Sequence, residues 1–335
     1  MSAPKTNVVY GLMGDVESSY LAMPTLNVSN HGIQLAEQPE ISDDYGFDGS
    51  PDQNPGSGDT PIRYTPVGRF IKPLSLKIRD KGASAAYSGS VKPRDLSVPL
   101  RIAGFVETGS FGAGTEKYTY TLTSPVGAPS SGGFEAYCRG TTAGTGEKWP
   151  IYGAYADWMY EVQNGQPGLW TFTVNGVLQA APSEVSWPAI VYAPSVLVPT
   201  ASPLVLSING VTSLVIRSLT LRGQRKIGAR FPDANASSGH AGFHPSNRAI
   251  ELEFLMEASL FATFNPYALR AAATAMAVTF QTGATQYNRT KFSLPQVQVR
   301  DASPKVVDEV PCTRVICTAH SSTPILNDSL TVTKD

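Results

Sequence analysis

Residues 259–280 read SLFATFNPYALRAAATAMAVTF, the most helix-like passage of a chain that otherwise alternates short apolar runs with turns. Asn265 is placed to cap a helix, Pro266 suits its first position, and the alanines carry it to about residue 275. Arg270 is its one charged group, so the passage suits a helix lying against a sheet rather than one presenting a ligand. A shorter passage echoes it at 95–104, DLSVPLRIAG. There Ser97 can cap, Pro99 fits a first turn, and Gly104 can end the helix in the left-handed conformation.

Around these two helices the chain reads as strand. RFIKPLSLKIRD (69–80) and RAIELEFLMEA (248–258) alternate apolar and polar residues at period two, as a strand with one buried face does. KYTYTLTS, GFEAYCRG, IYGAYADWMYEV and GLWTFTVNGVL follow the first helix, and MAVTFQT, KFSLPQVQVRD, PCTRVICTAH and SLTVT follow the second. With 30 Gly, 26 Pro and only 16% charged residues among 335, a mostly β architecture is expected. The length suits two domains.

The two halves repeat one order of elements. SLKIRDKGA (75–83) aligns with SLTLRGQRK (218–226), and DLSVPLRIAG with NPYALRAAAT (265–274), the second copy running about 140 to 170 residues behind the first. Five prolines between residues 181 and 203 exclude a helix interior or a central strand, so the boundary falls there. The expected organisation is a first domain at 1–180, a Pro-rich linker at 181–203 and a second domain at 204–335.

Charge is segregated along the chain. Residues 37–59 carry seven acids, Asp43, Asp44, Asp48 and Asp52 among them, and no Lys or Arg, in a Gly/Pro-rich arm spanning 37–60. Residues 63–101 then carry nine bases against Asp80 and Asp95. The acidic arm is expected to meet a basic surface on its own domain or on a neighbouring copy. A net charge of −1 argues against a strongly basic nucleic-acid binder, which must neutralise several phosphates.

Little in the sequence reads as catalysis. There is no G-x-S-x-G elbow, no P-loop and no G-x-G-x-x-G behind a strand. His240 and His244 have metal-compatible spacing but lie among Gly239, Gly242 and Pro245, in a loop. DDYGFDGSPD fails the calcium-loop register, because counting from Asp44 places Pro55 where Glu is required. Tyr152, Tyr155 and Trp158 could form a sugar-stacking platform, though packed sheet aromatics are the commoner outcome. Cys138, Cys312 and Cys317 are read as reduced and buried. No enzyme activity and no cofactor are expected. No signal-peptide core follows Met1 and no apolar run approaches a membrane span, so folding in a cytoplasm is expected.

The duplicated order of strand, hairpin, helix and strand series resembles the major tail tube proteins of long-tailed, non-contractile bacteriophages. The resemblance rests on GDVESSYLAMPTLNV (14–28), KPRDLSVPLRIAGF (92–105), SLTLRGQRKIGARF leading to SNRAIELEFLME, and the terminal NDSLTVT. It implies two tandem tail-tube-type β-sandwich or barrel folds, each flanked by a short helix, with long hairpin and arm loops. It also implies homo-oligomeric rings stacked into a tube through which double-stranded DNA passes without specific binding. Simple family members carry one such fold and form sixfold rings, so two folds per chain imply a homotrimer with pseudo-sixfold symmetry; a homohexamer is the fallback. Implied partners are tail terminator, distal tail and tape measure proteins, and the implied location is the virion tail, assembled in the host bacterial cytoplasm. Within this frame Arg222, Arg225, Lys226 and Arg230, on a hairpin tip, are expected to meet Asp43, Asp44, Asp48 and Asp52 of an adjoining subunit or ring. Alternatives are a carbohydrate-binding or depolymerising β-protein, and a distal tail or capsid decoration subunit.

Overall fold

The computed structural model describes residues 10–29, 31–37, 39, 41, 43–48, 65–80, 96–110, 117–122, 130–138, 144–179, 182–192, 204–230, 242–246, 249–284, 289–322 and 328–334. Among them the protein is mostly β, with antiparallel pairing and two helices of six residues each. The first half contains β1 (Gly11–Val16), β2 (Asp43–Asp48), β3 (Thr65–Arg79), α1 (Ser97–Ile102), β4 (Phe105–Ser110), β5 (Lys117–Leu122), β6 (Gly132–Cys138), β7 (Thr145–Gln163), β8 (Leu169–Leu178) and β9 (Ser183–Ser186). The second contains β10 (Val205–Ile208), β11 (Ile216–Arg222), β12 (Ile227–Ala229), β13 (Phe243–Pro245), β14 (Ile250–Glu257), α2 (Pro266–Ala271), β15 (Ala275–Thr282), β16 (Thr290–Val307), β17 (Val310–His320) and β18 (Thr331–Lys334).

A central sheet runs β2-β3-β8-β7-β11-β14-β17-β16. Its alternation is strict enough to divide the residues into two faces. Leu74, Leu76 and Ile78 of β3, Trp170, Phe172 and Val174 of β8, and Trp158, Tyr160 and Val162 of β7 are buried on one face. Leu219 and Leu221 of β11, Leu252 and Phe254 of β14, and Val315 and Cys317 of β17 continue it. The opposite face is mainly polar, with Met159, Leu255 and Ile316 interspersed among its charged and hydroxyl side chains.

Two strands are too long for one layer. β7 has 19 residues and β16 has 18, against about five or six for an ordinary strand. Each breaks register part-way, β7 at Tyr152/Tyr155 and β16 at Val299/Asp301, and each changes partners there. The first part of β7 pairs β6 and β9, while its last part pairs β8 and β11. The first part of β16 pairs β15 and β18, and its last part pairs β17. Gly153, at φ +60, supplies the left-handed residue of the β7 bulge.

The same pairings occur in both halves. β1 pairs β6 as β10 pairs β15, and β6 pairs β7 as β15 pairs β16. β7 pairs β8 and β9 as β16 pairs β17 and β18, and β3 joins β2 and β8 as β14 joins β11 and β17. In this scheme SLTLRGQRK, whose strand is β11, corresponds to β2, and SLKIRDKGA in β3 corresponds to β14. The β4–β5 hairpin is an insertion of the first half, and it pairs with β18 of the second.

The helices close alike. Asn265 caps α2 by accepting the Ala268 N–H at 3.0 Å, with Pro266 first, as the sequence suggests. The helix ends at Ala271, short of residue 275, because Ala273 turns left-handed (φ +48) and Ala275 already pairs Gln298 in β15. In α1, Ser97 is the first helical residue rather than the cap, Leu96 takes that position without a side-chain bond, and Gly104 is left-handed at φ +94.

One buried apolar cluster draws residues from both sides of 181–203, from Leu12 to Val332, so the halves share a core as well as a sheet. β9, in the expected linker, is a strand paired with β7.

Candidate functional site

The polar face of the central sheet is the largest organised set of charged groups. Cross-strand neighbours on it include Lys77 and Thr171, Thr173 and Asp157, Glu161 and Thr220, and Arg222 and Glu251. Its cations are held by carboxylates. Arg314 grips Glu253 with two hydrogen bonds, Nε to Oε1 at 2.6 Å and Nη2 to Oε2 at 2.9 Å. These bonds hold the Glu253 carboxyl below its ordinary range, against the opposing effect of partial burial. Glu251, 7% exposed, lies between Arg300 at 2.6 Å and Arg222 at 3.7 Å. Arg217 reaches Glu257 at 3.2 Å and Asp308 at 3.0 Å, and Lys77 reaches Glu37, the first acid of the arm, at 2.7 Å. A face built this way is hydrophilic, yet these cations are already engaged by carboxylates rather than free to grip phosphates.

The expected basic tip is divided in the structure. Arg222 is on β11, engaged with Glu251. Arg225 is half-buried: its Nη1 donates to the Ala103 carbonyl at 2.9 Å, and its backbone N–H donates to Asp157 Oδ1 at 2.9 Å. Burial pulls its guanidinium below the ordinary value although Asp157 favours the charge. It therefore locks the second half onto the end of α1 and is not a free contact for another chain. Lys226 and Arg230 line an open groove of about 780 Å³ with His244 and Ser246. Of the acids, Asp43, Asp44 and Asp48 lie on β2, opposite Ile71, Phe70 and Thr65 of β3, while Asp52 lies outside the described residues.

The other candidates separate by burial. Tyr155 and Trp158 are 7% and 4% exposed, and Tyr152 is partly buried against the cluster of Tyr155, Val177 and Phe243, so the three pack rather than present an open stacking platform. All three cysteines are free and buried, and burial pushes the Cys317 thiol up to about 12. His244 is on β13; His240 lies outside the described residues. Among the described residues no group of three His, Cys, Asp or Glu could hold a metal ion, and no helix is long and apolar enough to cross a membrane.

Two buried acids escape a motif-based reading. Glu17 accepts from the Gly153 N–H at 2.6 Å, the Ser131 hydroxyl at 2.6 Å and the Leu21 N–H at 3.0 Å. Burial raises its pKa in spite of these donors, and a carboxylate so fully engaged ties a loop to the β7 bulge. Asp80, fully buried, meets Lys334 Nζ at 2.6 Å, Trp170 Nε1 at 3.2 Å and the Tyr160 hydroxyl at 3.3 Å. A parity signal existed for this pair. Asp80 continues the inward positions Leu74, Leu76 and Ile78, and Lys334 follows Val332 on the inward face of β18.

The sheet also has open flanks. Among the described residues β2 pairs only β3, and β16 beyond Val299 pairs only β17. At the corresponding position of the first half, the last part of β7 is covered by β11 through the register Ser218↔Gln163 to Arg222↔Met159. No protein-family model matches the chain, and no curated protein shows significant similarity to it in sequence.

Proposed function

We propose that the protein is a structural subunit of a bacteriophage tail tube, two tandem tube-type folds per chain, assembling as stacked trimeric rings around a channel through which DNA passes. The observation that carries this reading is the within-chain junction of β7 with β11. There the second half adds its strand to the edge of the first, while among the described residues the equivalent edges, β2 and the last part of β16, have no partner at opposite flanks of one sheet. Pairing β2 of one copy with β16 of the next repeats the internal junction and is head-to-tail, the kind of contact that closes rings.

Charge supports the pairing through one residue: β2 carries Asp43, Asp44 and Asp48, and the open edge of β16 carries Lys305 beside Arg300, already engaged by Glu251, and Asp301, engaged by Arg270. The central sheet supplies eight strands, β2, β3, β8, β7, β11, β14, β17 and β16, so three copies give a barrel of about 24 strands. At usual strand spacing and tilt that barrel is about 40 to 50 Å across between backbones. Its polar face, with cations engaged by Glu251, Glu253 and Glu257, suits a lumen that must not hold a sliding duplex. The role is structural, without turnover, and the partners are further copies, tail terminator, distal tail and tape measure proteins in the virion tail.

Negative-stain microscopy of the purified protein tests this. Filaments or stacked rings with a central channel and threefold subunit count are expected; a protein that remains monomeric at every concentration overturns the proposal.

A further inference from the structure

The two helices are matched in build and unmatched in cover. Each has six residues, carries Leu-Arg in its last turn (Leu100 and Arg101; Leu269 and Arg270), and is followed by a left-handed residue, Gly104 or Ala273. α1 packs against β7 and α2 against the equivalent β16. Yet in α1 all residues but Arg101 are buried, and in α2 only Pro266 is.

Part of the cover on α1 comes from the segment that follows β11. Arg225 donates to Ala103 at the helix end, and its guanidinium fills the space beside Gly104, where a Cβ would meet Nη1 at 2.2 Å. The strand that brings Arg225 there is the one that pairs β7. Beside α2, among the described residues, no strand pairs the free edge of β16, and Ala271, Ala272 and Ala273 are exposed. The exposed surface continues into an apolar groove of about 540 Å³ between α2 and the β16–β17 turn. At its rim Phe261 is 65% exposed, Tyr267 37% and Val306 73%, a concentration of apolar surface that marks an interaction site.

We propose that a second copy of this chain covers α2 and the Phe261–Tyr267–Val306 groove, alongside its β2 as that strand joins the open edge of β16. The occupant is argued from three observations: the cover of α1 arrives with the pairing strand, α2 adjoins the open edge through Arg270 and Asp301 at 3.1 Å, and Lys305 on that edge and in the groove lining complements acidic β2. The inference rests on the ring reading above and adds where the neighbour lies.

The test is cysteine accessibility in the full chain, with Ala272→Cys as the reporter, since the native thiols are buried. The maleimide reaction of Cys introduced there is expected to slow at least tenfold on going from monomer to assembly. In parallel, Phe261→Asp is expected to stay folded, with a melting temperature close to that of the parent, yet to lose assembly. Assembly of the parent with the reporter equally reactive in both states, or with Phe261→Asp assembling normally, overturns this inference and leaves the ring reading standing. A parent that never assembles overturns both.

Discussion

Lys334 places its Nζ 2.6 Å from Oδ1 of Asp80, 254 residues earlier, with side chains 6% and 0% exposed. The pair fastens β18 to the end of β3, one element from each half, beneath the packed rings of Tyr160, Trp170 and Phe292. Removing one charge strands the other in a buried site. Lys334→Met is expected to cost about 3 kcal/mol or more in denaturant unfolding, and Asp80→Asn added to it to recover part of that loss. Additive effects in the double-mutant cycle would show that the two charges do not act as a pair.

Gly104 and Arg225 form a second fastening between the halves. Gly104→Ala puts a side chain at φ +94 and drives the guanidinium from the Ala103 carbonyl. A loss of about 1 to 3 kcal/mol is expected from thermal or chemical unfolding. Ala273→Gly, at the equivalent left-handed site (φ +48), is expected to be neutral or slightly stabilising.

Two carboxylates give pH dependences of opposite sign. Glu253, held below its ordinary 4.5 by the Arg314 hydrogen bonds, contributes stability above that value that is lost as pH falls through its depressed pKa. Because the pair is partly solvated, the contribution is expected to be under about 1 kcal/mol. Glu17, raised above 4.5 by burial, costs nothing below that value and costs progressively more as pH rises through its raised pKa. Melting temperatures from pH 2 to 7 for the parent and Glu253→Gln check the first; a variant with the parent's acid slope contradicts it.

The thiols are expected to be silent. With Cys317 pushed up to about 12 and all three cysteines buried, native protein at pH 8 should react with a thiol reagent only on the timescale of unfolding. Fast labelling of even one thiol in the native state would contradict this.

At the flanks, Lys305→Glu places an acid on the edge of β16 proposed to meet acidic β2 of the next copy. Assembly followed by light scattering is expected to slow several-fold, and that of the parent to slow as salt is raised, since exposed charges are screened within about 10 Å at 0.1 M. Assembly indifferent to both changes would remove charge from the account of the seam.

The helices and the period-two strands were legible because their signals are local: Asn265 and Pro266 at a helix start, and Ile250, Leu252, Phe254 and Met256 on one strand face. The end of α2 was less so, since alanine continues a helix and only the pairing of Ala275 with β16 ends it. The bends in β7 and β16 left no local mark beyond Gly153. β16 runs on past Asp301, where the KFSLPQVQVRD run ends, and includes Pro304, which a strand with one described partner at that point tolerates. Arg225 looked like an exposed hairpin cation. Its burial depends on α1 lying beneath it, a relation across 122 residues that no window of sequence contains.

The pairing of β7 with β11 has a kinetic meaning as well. Both strands belong to one molecule, so their encounter is unimolecular and governed by the length of the connection, whereas a seam between copies forms at a rate set by how many copies are present. Dilution of the proposed assembly would therefore take it apart in whole chains, and its smallest released piece would carry both halves.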